Sequence, residues 1–154
     1  MQVYLVQHAK AHSKEENPDR PLTPRGRQDT EQVAALAATL GLQVHEIRHS
    51  GKTRAEQTAT ILGEALEPDA GVVKALGLGP LDDVAPVAEA LSQVAESIML
   101  VGHLPFMERL AGYMLTGDAE QPVVKFHNAG LVCLTRDKER WQVTWIITPS
   151  IARA

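Results

Sequence analysis

The residue types best suited to chemistry in this chain are two histidines, each placed after an apolar run. His8 follows Val3-Tyr4-Leu5-Val6-Gln7, and His103 follows Ile98-Met99-Leu100-Val101-Gly102. A neutral imidazole can attack an electrophilic centre such as phosphorus, and a second imidazole beside it can donate to the charge that develops there. Arg54 joins the set because a guanidinium in the first turn of a helix faces the positive end of the macrodipole, a cost that a bound anion would offset. Arg20, in Asp19-Arg20-Pro21-Leu22-Thr23, could swing to the same place, with a salt bridge to Asp19 or Glu16 as its other option. Lys10 and Lys52 are flexible cations of the same kind.

The elements that must bring these residues together alternate between periods of two and of 3.6. Gln2 to Gln7 reads as a strand. Thr23 caps a helix that has Pro24 in its first position, Val33, Leu36, Ala37 and Leu40 on one face, and Gly41 as its stop. A short strand over Val44 to Arg48 leads to Thr53, which with Glu56 makes a capping-box pattern ahead of Ile61, Leu62, Ala65 and Leu66. Val72 and Val73 suggest a brief edge strand. Asp82 or Asp83 caps a helix bearing Val84, Val87, Ala88, Leu91 and Val94. Ser97 to Val101 is the second apolar strand, followed by Pro105 and a helix with Met107, Leu110, Ala111 and Met114. Gly130 to Thr135 and Trp141 to Ile147 form a hairpin around a charged turn. Strand-helix alternation predicts an α/β fold with a mostly parallel sheet covered on both faces, and ligands in such sheets bind beyond the carboxyl ends of the strands. Both histidines belong at that edge.

A length of 154 residues suits one domain, 1–154, that buries its core without disulfides. The lone Cys133 sits in an apolar run, which predicts a reducing, cytoplasmic setting. Five residues from Val3 to Gln7 are not expected to act as a signal peptide, and no run approaches the roughly 20 apolar residues of a membrane span. With 15 Lys and Arg against 19 Asp and Glu, the net charge of −4 argues against a general nucleic-acid binder. Residues 1–54 nevertheless carry eight basic against six acidic side chains, which favours an anionic ligand there.

The remaining candidates carry less. His45 and His49 are four apart in a segment that reads as strand and loop, so they do not share a helix face for a metal, and no cysteine cluster adds a metal site. His12 and His127 read as loop residues, with His127 near enough to a strand start to reach a substrate. Asp82 and Asp83 are helix caps first and general acids second.

Taken together, strand-His8, Arg20-Pro21-Leu22-Thr23 with Gly26, Arg54-Ala55-Glu56-Gln57-Thr58, His103-Leu104-Pro105 and the Trp145 to Pro149 close resemble the histidine phosphatase superfamily, in particular its small SixA-type phosphohistidine phosphatases. The resemblance runs nearly end to end. It implies a three-layer α/β/α sandwich of the phosphoglycerate mutase-like kind, no metal and no other cofactor. His8 is then the nucleophile that becomes phosphorylated, with His103 and Arg54 as its catalytic partners. Arg20, Gln7 and Lys10 are the expected substrate-binding groups. The implied partners are a phosphorylated histidine-containing protein and phosphate ion, for a chain expected to be a monomer.

Relatives that cleave alkyl phosphate esters use a carboxylic acid to protonate the alkoxide, and no convincing acid stands between Leu76 and Val84. An imidazole leaving group needs less help. The family's Arg-His-Gly is here Gln7-His8-Ala9, which replaces a bidentate cation by a neutral donor. Three readings follow: a phosphohistidine phosphatase, a phosphatase of small phosphoesters using Asp82 or Asp83, and a catalytically weakened domain that binds phosphorylated proteins.

Overall fold

Two adjacent strands explain most of the architecture. In the computed structural model, which describes residues 1–154, β1 (Gln2–Gln7) and β4 (Ile98–Gly102) run parallel, with Val3 opposite Ile98 and Gln7 opposite Gly102. Their side chains alternate between the two faces, and both faces are buried. Tyr4, Val6, Met99 and Val101 enter one core, while Val3, Leu5, Ile98 and Leu100 enter the other. That is why both runs are apolar without interruption.

The full sheet has the order β3-β2-β4-β1-β5-β6. β2 (Glu46–His49) and β3 (Val72–Lys74) extend the parallel part, and β5 (Leu131–Asp137) with β6 (Arg140–Ile147) adds the antiparallel hairpin beside β1. Helices α1 (Pro24–Thr39) and α2 (Thr53–Leu66) cover one face through Val33, Ala37, Ala59 and Leu62. Helices α3 (Ala85–Ser92) and α4 (Phe106–Thr116) cover the other through Ala88, Leu91, Met107 and Leu110. Each aliphatic side chain buried in these layers contributes about 1.5–3 kcal/mol before the entropy of ordering it. The result is the expected three-layer, phosphoglycerate mutase-like sandwich.

The chain leaves β1 through α1 on one face and leaves β4 through α4 on the other. Diverging connections of this sort open a crevice between the carboxyl ends of the two strands. His8 and His103 are the first residues past those ends, and the His8 N–H donates to Gly102 O at 2.9 Å.

Several local expectations shift by one or two residues. β2 is Glu46–His49 rather than Val44–Arg48, and β4 begins at Ile98 and includes Gly102. Thr53 is not a cap: it is the first helical residue of α2, Lys52 holds the cap position, and no side-chain cap bond forms. Glu56 instead lies 3.9 Å from the His49 ring. At α3 the cap position belongs to Val84, with Asp83 Oδ1 accepting the Ala85 N–H and Asp82 Oδ2 accepting the Gly79 N–H. Val84 and Val94 therefore flank α3 rather than belong to it. A one-turn helix, α5 (Pro149–Ala152), follows β6. Thr23 does cap α1, accepting the Gly26 N–H at 3.0 Å. Gly26 is required there because a Cβ would sit 2.1 Å from the Lys10 carbonyl oxygen. No helix is long and apolar enough to cross a membrane.

Candidate active site

At the open ends of β1 and β4 the His8 and His103 rings lie 5.0 Å apart, tilted by 55°. The backbone decides which nitrogen of His8 is available. Its Nδ1 lies 2.7 Å from the Ala9 carbonyl, which can only accept, so Nδ1 carries the hydrogen and Nε2 carries the lone pair. Burial pushes the His8 pKa down to about 4; the Ala9 carbonyl opposes that shift, and Arg54 and Arg20 add to it. At neutral pH the ring is therefore uncharged and nucleophilic.

The loop after His8 is held from three sides. The buried Ala9 N–H donates to Thr58 Oγ1 at 3.0 Å, Asn128 Nδ2 donates to the His8 carbonyl at 2.9 Å, and a bridge pairs Ala11 with Leu22. Ala9 keeps an ordinary negative φ and is fully buried in the α1/α2 core, so this backbone has no need of glycine.

The second histidine is 1 % exposed, and its Nε2 lies 2.6 Å from Ser50 Oγ. Burial pushes its pKa down to about 3, with His8, Arg54, Lys52 and Arg20 contributing in that order. Arg54, in the first turn of α2, has its own pKa lowered by burial and by Arg20. Arg20 stands on a left-handed turn with φ of +50°, its Nε donating to the His12 carbonyl at 3.0 Å. The Gln57 side chain fixes the same turn to α2 by accepting the Leu22 N–H at 2.8 Å. Segments after β1 and β4, the turn before α1 and the start of α2 thus bring two histidines and two arginines into one cluster.

Three of the four buried side-chain polar atoms without a partner belong to this cluster: Gln7 Oε1, Arg54 Nε and His103 Nδ1. Buried polar groups are ordinarily paired, and two of these three can serve as donors to an anion.

The other sequence candidates fall into place around it. Lys10 is exposed, and its charge acts on neither histidine, whereas that of Lys52 acts on His103. Asp82 and Asp83 are occupied with backbone N–H groups and act on neither ring. His49 is buried, accepting the Gly51 N–H, and His45 faces Asp69 at 3.9 Å, so the two do not meet. His12 pairs with Glu16 at 3.4 Å, and His127 is exposed. Ser50, Gln57, Thr58 and Asn128 received no role from the sequence. Gln57 and Thr58 carried a signal in the Arg54-Ala55-Glu56-Gln57-Thr58 motif, three and four residues past Arg54 and so on its helix face. Ser50 and Asn128 carried none, because tertiary pairing alone brings them in.

The model of the histidine phosphatase superfamily, branch 1, matches residues 3–77, which hold His8, Arg20 and Arg54. A solved structure of the protein histidine phosphatase SixA complexed with tungstate superposes with a TM-score of 0.86 at 24% identity, over 97% of this chain and 98% of that one. A second, described as a phosphohistidine phosphatase SixA from Agrobacterium tumefaciens, gives 0.77 at 28% identity over 96% and 97%. The first half of the chain thus carries the signature of the histidine phosphatase superfamily, and the whole chain shares the fold of the SixA structures. Among curated proteins, the mitochondrial serine/threonine-protein phosphatase PGAM5 of Mus musculus is 39% identical to this chain over 67 residues. That match takes in 42% of this chain but only 23% of the mouse protein.

Proposed function

We propose that this protein is a phosphohistidine phosphatase of the histidine phosphatase superfamily that removes phosphate from a phosphorylated histidine on another protein. His8 Nε2 attacks phosphorus in line; a P–N bond forms to His8 as the P–N bond to the substrate imidazole breaks. The leaving imidazole takes the electron pair of that bond and is protonated by solvent. Water then attacks the phosphorylated His8, inorganic phosphate departs, and His8 returns to its neutral form. Arg54, Arg20 and His103 donate to the equatorial oxygens, where most phosphoryl-transfer stabilisation is obtained.

One observation carries the choice of substrate. Every charged side chain acting on the two rings is a cation, and the nearest sequence candidates for a general acid, Asp82 and Asp83, are bound to backbone N–H groups. Such a site stabilises the transferring phosphoryl group but supplies no proton to an alkoxide. A phosphoramidate fits that arrangement better than an ester. Gln7 contributes through its amide: its oxygen is the buried atom without a partner, and a half-turn of the amide presents NH₂ to the anion instead.

The deciding experiment offers the protein a phosphorylated histidine-containing domain, a small phosphoramidate and p-nitrophenyl phosphate. The expected ranking puts both P–N substrates well above the ester. Fast ester turnover would favour the small-phosphoester reading, and phosphate binding with no turnover of any substrate would favour the binding-domain reading.

A further inference from the structure

The two ring nitrogens of His103 are treated differently by the fold. Nε2 faces Ser50 Oγ at 2.6 Å, while Nδ1 is buried with no protein partner. Ser50 is the residue after β2, on the short connection into α2, and its Oγ also lies 3.3 Å from the Lys52 N–H, which can only donate. One lone pair of Oγ is thus used by the backbone, and the hydroxyl hydrogen is free to turn toward Nε2. A neutral imidazole carries a single N–H, and the partner of one nitrogen decides which nitrogen holds it.

We propose that Ser50 is a positioning residue that sets the tautomer of His103: its hydroxyl donates to Nε2, so the ring presents Nδ1–H to the phosphoryl oxygens as a neutral donor. The opposite arrangement, with Nε2–H donating to Oγ, would turn the Nδ1 lone pair toward the anion and repel it. A protonated ring would donate from both nitrogens, but the surroundings oppose it. His8 at the end of β1, Arg20 before α1, and Lys52 and Arg54 at the start of α2 are the groups that act on the ring, and none carries negative charge. A donor that requires no added proton suits that environment. It also places His103 outside the pH dependence of the reaction in the neutral range. This assignment rests on the phosphatase reading above and specifies how one of its donors works.

The test uses the full chain, labelled with ¹⁵N, with inorganic phosphate as the probe. In the wild-type protein the His103 ring shifts are expected to report Nδ1–H and an accepting Nε2 when phosphate is bound. Ser50→Ala is expected to lose that single tautomer and to lower kcat on a small phosphoramidate by about tenfold, with KM changing much less. The ratio of wild-type to variant kcat, in which the substrate's own ionisation cancels, should rise with pH because the variant must protonate His103 to regain a donor. Ser50→Thr keeps the hydroxyl and should restore both the tautomer and the rate. An Nε2–H signature in the phosphate-bound wild type would overturn the proposal, even if Ser50→Ala fails to fold. So would a folded Ser50→Ala protein with unchanged tautomer and unchanged kcat. A wild-type protein that shows Nδ1–H with phosphate yet hydrolyses nothing would refute the phosphatase reading while supporting the role of Ser50.

Discussion

Thr58 ties the backbone after the nucleophile to the helix that carries the guanidinium. Its Oγ1 accepts the Ala9 N–H at 3.0 Å and donates to the Arg54 carbonyl at 2.8 Å, so one buried hydroxyl spaces His8 from Arg54. Replacing it by the isosteric valine would strand a buried N–H, a loss of about 1–3 kcal/mol. Thr58→Val is therefore expected to lower the denaturation midpoint and reduce kcat, while Thr58→Ser retains most of both. Equilibrium unfolding and steady-state rates on a phosphoramidate check the pair.

Arg20 is held at a backbone angle that favours glycine, with φ of +50°. A non-glycine residue in that region costs about 1 kcal/mol. Arg20→Gly and Arg20→Ala should lose activity to a similar extent, about 10²–10³-fold for a lost oxyanion donor. Stability should separate them, with the glycine variant the more stable by about 1 kcal/mol. Side-by-side denaturant titrations with phosphoramidate assays measure both effects.

Position 7 tests the missing charge. Gln7→Arg places a fork of donors at the end of β1 beside His8, and the rate of phosphoramidate hydrolysis is expected to rise by at least about tenfold. An unchanged rate would mean that Lys52, whose charge already acts on His103, fills that role.

The pH behaviour has a definite sign. His8 titrates at about 4 and His103 at about 3 in the folded chain, below the ordinary value of 6.5. Below pH 6.5 the unfolded chain binds these protons while the folded chain does not, so stability is fully present above 6.5 and is lost as pH falls toward 4. His103→Gln, which cannot titrate, should show a shallower fall in chemical-denaturation midpoints across that window. Phosphorylation of His8 should persist down to about pH 5 rather than fading near 6.5.

The sequence made the sheet legible because β1 and β4 are buried on both faces, and that leaves apolar runs ending abruptly at His8 and His103. It made α1 legible through the Thr23 and Pro24 start. It misassigned the start of α2, where Thr53-x-x-Glu56 matches a capping box although Glu56 faces His49 across the connection from β2. Local pattern cannot register such a competitor. It also gave Ser50 and Asn128 no role, since their partners lie 53 and 120 residues away and no period links them. The cations followed the same logic. Lys10 and Lys52 look alike in sequence, and only the fold separates one that acts on His103 from one that turns to solvent.

The nucleophile assignment is tested most directly by trapping the intermediate. Rapid mixing of the protein with a phosphorylated histidine-containing domain, followed by alkaline quench and peptide mapping, should find an acid-labile phosphate on His8. Phosphorus NMR should place it on Nε2, because Nδ1 is committed to the Ala9 carbonyl. His8→Ala should carry no label. A label that survives in His8→Ala, or one attached through Nδ1, would contradict the account.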